Sequence, residues 1–568
     1  MRQPRPAAGE AAVDPATFAV VRNALYAIAE EMGVVLAKTA YSPLLKAGGD
    51  YSCALFDCAG EMVAQGNNIP THLGSMPLAV QAVIRAWEAF RPGDVFIHND
   101  PYFGGAHLPD VNVVTPVFHE ARQLGFACVR AHWPDVGGAV PGSYGTTTEI
   151  FGEGLRMPPV RLRSGGEVNR DVEAVIFANV RVPAERRGDL RAQIAANRRA
   201  EQRMAALAAK HGATRLIAIM DEVKDHSERM MRQAIATLPD GKVRFEARAD
   251  GDGIADDADG SDAPIRLVMT VTKAGDALEV DMTGSQAQVA GPMNAPLAVT
   301  ASGVYTAVKM VADPTNLIPP NSGCWRPIRV TAPQSTVTNA TYPAPVVYAN
   351  HEISHLVCEM FFGALAQAVP DRVMACSNAT GGILTLGGVD PRTGGRYVSY
   401  ENVKGGMGAR PNKDGVNAIY TGISNGMNVP VEILETSFPV RVRRYEIVPD
   451  SGGAGRYRGG CGVLRVWRML GSDGMANVCL ERTVDAPFGL FGGDDGGRGR
   501  ITLVMPDGER RELASKASFA VPAGAEVWLQ APGSGGYGPA AARAPEALRD
   551  DLLNGYVSED AASRLYGR

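Results

Sequence analysis

Two short stretches hold most of the chemistry that can be read directly: His98 to Asp110, "HNDPYFGGAHLPD", and Ala131 to Gly138, "AHWPDVGG". His107 and Asp110 form an H-x-x-D pair, and His132 adds a second imidazole. Two neutral imidazoles and one carboxylate make a three-ligand face that suits a divalent ion such as zinc, manganese or iron, with positions left open for water or substrate. Such an ion polarises a carbonyl and lowers the pKa of its water. Asp50, in "GGDYS", can serve as a further ligand or as a general base, and Asp100 is a second candidate base. His98, Asp100 and Asp135 can hold the imidazoles from behind. A plainer reading stays open, in which Asp110 and Asp135 accept backbone N–H groups in proline–glycine turns.

Other motifs point elsewhere. "HEISH", His351 to His355, matches the H-E-x-x-H of zinc peptidases, in which His351 and His355 would be ligands and Glu352 the base. A third ligand is missing at a suitable distance, and the apolar run that follows reads as core. "GGMGARPNKDG" and "DSGGAGRYRGGCG" could cradle phosphate, but turns are the simpler use, and no G-x-x-x-x-G-K-[ST] occurs in the chain. Cys53 and Cys58, in "DYSCALFDC", read as core residues of a strand, and the other six cysteines are scattered, as expected of reduced thiols.

The elements that must carry these groups follow from periodicity. Phe18, Val21, Leu25, Ile28, Met32 and Val35 recur at helical spacing after Asp14-Pro15, a cap followed by a first-turn proline. "YSCALFDCAGEMVAQG" is a hairpin turning at Ala59-Gly60, "PLAVQAVIRAWEAF" a helix, and "DVFIHND", "VNVVTPVF" and "LGFACVRAH" are strands. The metal candidates therefore sit in loops at strand ends, where functional side chains are commonly carried. Long helices follow from Val182-Pro183 to Leu238, and the Arg/Asp-rich face of "GDLRAQIAANRR" reads as solvated or packed against a partner. The chain is expected to be mixed α+β and multidomain: an N-terminal α/β metal-binding region (1–238), a central α+β region (239–397), a β-rich, glycine-punctuated region (398–544) and a helical tail (545–568) that could act as a docking arm.

Bulk properties exclude several classes. With 568 residues, 45% hydrophobic and 21% charged, the chain can bury more than one core and is not broadly disordered. A net charge of −5 offers no footprint for nucleic acid. The N-terminal "MRQPRPAAGEAAVDP" lacks an apolar secretion segment, and 18 apolar residues nowhere run together, so no membrane span and a cytoplasmic location are expected.

"HNDPYFGGAHLPDVNVVTPVF", "AHWPDVGG", "EGLRMPPVRL", "NVRVPAERRGDLRAQIAA", "GSQAQVAGPMNAP", "DSGGAGRYRGGCG", "PFGLFGG" and "GYVSEDAASRLYG" together resemble the hydantoinase B/oxoprolinase family, in family order from near residue 40 to the C-terminus. The resemblance implies a heteromer with a hydantoinase A-type subunit of actin-like fold that binds ATP with magnesium, consistent with the missing P-loop. It implies a divalent metal at His107, Asp110 and His132, with Asp50 as a weaker fourth ligand. The sequence departs from the family at Trp133, where relatives commonly have a small or polar residue; an indole there closes the pocket to bulky substrates or simply packs. The activity implied is ATP-dependent hydrolysis of a lactam or hydantoin. Two alternatives stand beside it: a subunit of an ATP-dependent ketone carboxylase, and a metal-free scaffold.

Overall fold

The structure is a computed structural model that describes residues 14–255, 262–420 and 422–567. Most of the N-terminal leader lies outside them. Helix α1 (Pro15–Thr39) begins as its sequence requires: the Asp14 carboxylate accepts the Thr17 N–H at 2.9 Å and Pro15 opens the first turn. There follow β1 (Tyr51–Phe56), β2 (Met62–Gln65), α2 (Pro70–Ala86), β3 (Val95–His98), β4 (Asp110–His119), β5 (Arg122–His132), the short α3 (Ile150–Glu153), β6 (Val160–Ser164), β7 (Glu167–Val168), α4 (Arg170–Ala178), α5 (Pro183–His211) and α6 (Ala213–Ala236).

The seven strands make one antiparallel sheet in the order β2-β1-β5-β4-β3-β6-β7. Alternation sorts its side chains. Cys53, Leu55, Val111, Val113, Ala127 and Val129 face α1 and α5, whereas Ala54, Phe56, Val114, Phe126 and Cys128 face α2. Cys53 is core as expected, but Cys58 lies exposed in the turn after β1, because the strand ends at Phe56. On α5, Arg191 and Arg198 are exposed as expected, whereas on the buried face Gln193 donates to Val111 O at 2.9 Å and Asn197 to Val113 O at 2.9 Å, so these amides tie the helix to the sheet.

A second sheet is built from β8 (Gly241–Ala249), β9 (Ile265–Ala274) and β10 (Ala277–Asp281), then α7 (Leu297–Ala312), α8 (Ser322–Trp325) and β11 (Ile328–Thr331), which pairs parallel to β10. Helix α9 (Glu352–Leu365) is apolar nearly all round and is buried between α7 and this sheet. The rest of the chain is strand-rich: β12 (Ile383–Val389), β13 (Arg396–Asn402), α10 (Val431–Ser437), β14 (Val440–Ile447), β15 (Val463–Met469), β16 (Gly474–Cys479), β17 (Arg500–Val504), β18 (Arg510–Glu512), β19 (Lys516–Val521) and β20 (Glu526–Gln530). They form two sheets, β13-β12-β16-β19 and β14-β15-β20-β17-β18.

Between these sheets, glycine loops cross backbone against backbone. A Cβ on Gly408 would fall 1.7 Å from Ala375 O, so only glycine fits that crossing. The tail, α11 (Pro545–Leu553) and α12 (Glu559–Tyr566), is no free docking arm by its apolar face: Leu548, Val557, Ala561, Ala562 and Tyr566 pack around Ala454, and Arg543 joins Asp414 to Asp551 beneath them. Among the described residues no helix is long and apolar enough to cross a membrane.

Gln193 is the most exposed of these devices to a direct test. It also accepts the Trp133 indole N–H at 3.0 Å, so Gln193→Ala strands two buried backbone or indole groups. Loss of about 2–4 kcal/mol in urea unfolding is expected; a change below about 0.5 kcal/mol would show that the amide does not hold α5 to the sheet.

Candidate metal centre

Strand parity and register assemble the centre. Asp110 lies directly opposite His132 across β4 and β5, and Tyr51 opposite Ala131 sets Asp50 beside His132, whose N–H donates to Asp50 O at 3.1 Å. Asp50, His132 and Asp110 therefore form one row on the face that α2 covers. The next row holds Ser52, Arg130 and Asn112, and the one after it Ala54, Cys128 and Val114. Arg130 is fully buried: it donates to Asn112 Oδ1 at 2.8 Å, to His72 O at 3.3 Å and to the Ser75 hydroxyl. That cation under the row fastens the first turn of α2 to the sheet and so brings His72 over it.

Three imidazole nitrogens converge on one carboxylate oxygen. Asp110 Oδ1 lies 3.1 Å from His107 Nε2, 3.4 Å from His72 Nε2 and 3.5 Å from His132 Nδ1. Yet among the described residues Asp110 Oδ1 and both nitrogens of His132 make no hydrogen bond, although they are buried. Asp50 stands one step further out, 3.8 Å from His72 Nε2 and 4.0 Å from His132 Nδ1. His351 adds a further imidazole, since ligand atoms of His107, His132 and His351 lie within 4.8 Å of one another.

The tautomer of His107 is set from behind: its Nδ1–H donates to Val347 O at 3.1 Å, which leaves the Nε2 lone pair towards the cluster. The loop carrying that carbonyl is held in turn by buried Glu153, which accepts the Val346 and Val347 N–H groups at 2.5 and 2.8 Å. Burial pushes the Glu153 carboxyl up to about 8, against the pull of those two donors.

Electrostatics favour an ionised Asp110 and neutral His132 and His351. Burial opposes ionisation of Asp110, but His107 and His72 outweigh it and hold its carboxyl well below the usual range. Burial presses His132 below the ordinary imidazole value and His351 well below it. An ionised carboxylate among converging imidazoles, with buried lone pairs on Asp110 Oδ1 and His132 that no protein donor satisfies, fits a divalent cation; the plain turn reading of Asp110 does not, since its Oδ1 accepts no backbone N–H.

The remaining sequence candidates lie outside the cluster. Asp100 accepts the Tyr102 N–H at 2.9 Å and pairs with Arg156 at 3.1 Å, so it orders the turn leading to His107 and is not brought among the imidazoles. Asp135 takes the plain role: it accepts from Gly137 N, Val182 N and Arg181 N. Among the described residues the buried His98 ring has no hydrogen-bond partner, and burial presses it to about 3. Trp133 packs under α5 through Gln193 and does not line the pocket.

The H-E-x-x-H pattern comes apart. His351 stands at the N-cap of α9 and enters the cluster, Glu352 turns to Gly381 N at 3.1 Å, and His355 donates back to His351 O at 2.6 Å. The glycine segments use their amides internally: Gly406 N donates to Pro532 O, Met407 N to Val416 O, Gly408 N to Ser377 Oγ, Gly453 N to Ser534 O and Gly460 N to Met407 O. They are crossings, not phosphate cradles.

A narrow pocket of about 20 Å³ opens on the cluster, lined by Asp50, His72, Asn350, His351, Asn402 and Ser424 among others. Tyr400 stacks over His132, ring centres 4.4 Å apart, and its hydroxyl lies 3.2 Å from His351 Nε2 and receives Asn402 Nδ2 at 3.0 Å. Burial raises the Tyr400 and Tyr144 phenols well above their ordinary value, so both stay protonated. His72, His351, Asn350, Tyr400 and Asn402 were not among the sequence candidates for this centre. One signal was available for two of them: the chain has only nine histidines, and His72 and His351 are among four that meet here.

The chain matches the hydantoinase B/oxoprolinase family over residues 14–540. It is 34% identical over 571 residues to the B subunit of a putative D-/L-hydantoinase from Pseudomonas sp. (strain NS671), covering 98% of this chain and 95% of that one. It is 33% identical over 583 residues to the beta chain of the caprolactamase of Pseudomonas jessenii, covering 98% and 96%. The crystal structure of the ATP-dependent caprolactamase from Pseudomonas jessenii superposes with a TM-score of 0.88 at 32% identity, over 98% of this chain and 96% of that one. Nucleotide-free acetone carboxylase shares the fold, with a TM-score of 0.89 at 20% identity over 98% of this chain and 79% of that one.

Metal analysis of the dialysed chain tests the centre. About one divalent ion per chain is expected for the wild type. Asp110→Asn and His107→Ala should lose it, and His72→Ala should weaken it about tenfold or more. His355→Ala should keep it; a parallel loss in that variant would restore the peptidase-like ligand set.

Proposed function

The chain belongs to the hydantoinase B/oxoprolinase family, and from that premise we propose that it is the B-type subunit of an ATP-dependent cyclic amidohydrolase, opening a lactam or hydantoin whose carbonyl oxygen has been phosphorylated. The observation that carries the reading is the convergence of His72, His107 and His132 on the unsatisfied Asp110 Oδ1, beside a pocket-lining carboxylate, Asp50. A divalent zinc, manganese or iron ion held by these four side chains, with His351 and Asp50 within reach, would supply Lewis acidity towards an oxygen of the substrate and a lowered pKa for water.

An unstrained amide carbonyl is a poor electrophile, and phosphorylation of its oxygen removes that obstacle. Phosphorylation belongs to an A-type partner that binds ATP with magnesium: this chain has no P-loop, and the amides of its glycine loops are already committed. In the pocket, Asp50 accepts a proton from the water that adds to the activated carbon. The same proton is then available to the ring nitrogen as the C–N bond breaks, which leaves an acyl phosphate that a second water hydrolyses to the open-chain carboxylate and inorganic phosphate. Tyr400, kept neutral by burial and oriented by Asn402, presents an O–H donor on the side of His351. The buried walls exclude bulk water, which limits loss of the activated species. On this reading the assembly is a soluble heteromer working in the cytoplasm.

The fold shared with acetone carboxylase supports one alternative, carboxylation of a phosphate-activated ketone at the same centre. The two are separated by co-purifying the partner and following ATP consumption. Consumption driven by lactams or hydantoins without bicarbonate is expected; consumption that needs a ketone and bicarbonate would select carboxylation instead. In the complex, Asp50→Asn should lower kcat by roughly 10²–10⁴-fold with the partner's ATP affinity unchanged. Full amide-opening activity in D50N would remove Asp50 from the mechanism.

A further inference from the structure

Four lysines are buried among the described residues: Lys224, Lys273, Lys404 and Lys516. Three end on carboxylates: Lys224 on Asp57 and Glu61, Lys273 on Asp240 and Lys516 on Glu481. Lys404 does not. Among the described residues it makes no ion pair and donates no hydrogen bond; its ammonium lies over the Tyr420 ring, 4.0 Å from the centre. A buried cation without a counter-charge is unfavourable, so its persistence needs a reason other than stability.

Its position supplies one. The extended chain continues past β13, with Val403 N donating to Gly382 O at 2.7 Å. Strand alternation then sends Glu401 and Val403 to one side, where Glu401 is paired with Arg465 at 2.8 Å and Val403 joins the apolar core. Tyr400, Asn402 and Lys404 share the other side. Tyr400 covers His132 and Asn402 lines the pocket, so Lys404 extends the same row at the edge of the metal centre. Burial brings its ammonium down to about 7 even though Asp50 and Glu401 pull it up. Asp50 is engaged with the imidazoles of His72 and His132 and Glu401 with Arg465, so neither neutralises Lys404 directly.

We propose that Lys404, two positions past the pocket-lining Asn402, is the cationic part of an oxyanion-binding site beside this pocket, and that the oxyanion it receives is the phosphoryl group of the activated substrate. The missing counter-charge is thus brought by the ligand, with Asn402 and Tyr400 as neighbouring neutral donors. The identity of the anion rests on the function proposed above; the presence of an anion site does not.

The test uses the full chain without partner or ATP, as purified and after chelation, with inorganic phosphate as the probe and acetate as the comparison. Titration calorimetry and thermal shift are the readouts. The wild type should bind phosphate and be stabilised by it. Lys404→Met should bind at least about tenfold more weakly with or without chelation, while Lys404→Arg stays within a few-fold of the wild type. Because it removes an unpaired buried charge, K404M should melt no lower than the wild type in the absence of ligand. Equal phosphate affinity in wild type and K404M, or no phosphate binding by the wild type, would overturn the anion site. Acetate binding as tight as phosphate would overturn the phosphoryl assignment. If K404M does not fold, Lys404→Gln takes its place, and failure of both neutral variants to fold would make Lys404 structural and end the proposal. Phosphate binding through Lys404 in a chain whose complex never couples ATP to amide opening would leave the anion site standing and remove the proposed reaction, and the reverse result would separate them the other way.

Discussion

The structure depends on one row of side chains, Asp50, His132 and Asp110, laid across β1, β5 and β4 by antiparallel register. Two carboxylates within one row of a covered sheet face repel each other and lose hydration, so the surroundings must answer them. Arg130 answers from the row below, and His72 and His107 from above and beside. Register leaves no tolerance here: a slip of one residue would send the row to the face that packs against α1 and α5. The irregularities in these pairings lie at the far ends, at Leu55/Phe56 and Val117/Phe118, where they do not disturb it.

The row is closed by chain from far along the sequence. The segment 344–351 brings Val347 O, Asn350 and His351, and β13 brings Tyr400 and Asn402. Each is held by buried polar bonds: Glu153 fixes the 346–347 amides, and Val403 N–H extends the pairing with the chain before β12. Interlocked glycine loops cross backbone against backbone between the last two sheets. The centre thus lies between the ends of β1, β5 and β4 in the first sheet and the later segments 344–351 and β13, and each half is incomplete without the other.

Much of the centre was legible because it is local. His107 and Asp110 are three residues apart, Asp14-Pro15 caps a helix, and period-two patterns in residues 51–56 and 110–132 mark strands whose ends carry polar groups. Other readings failed for equally physical reasons. Asp100 looks like a free base in sequence, but Arg156, 56 positions on, occupies it. The amides of Gln193 and Asn197, beside the exposed arginines of α5, serve backbone carbonyls of the sheet, which no sequence pattern showed. "HEISH" has ligand spacing for a helix, but the helix starts after His351, so the two imidazoles diverge.

By itself, the sequence determined the elements, the mixed α and β composition, the absence of a P-loop and the H-x-x-D pair with its partner histidine, since these depend on neighbouring residues and on periods of 2 and 3.6. Only the tertiary structure decided that His72 and His351 join them, that Asp50 rather than Asp100 faces the pocket, and that Lys404 stands buried and unpaired beside it. Those outcomes depend on strand register and on contacts across hundreds of residues, which no local pattern of residue types encodes.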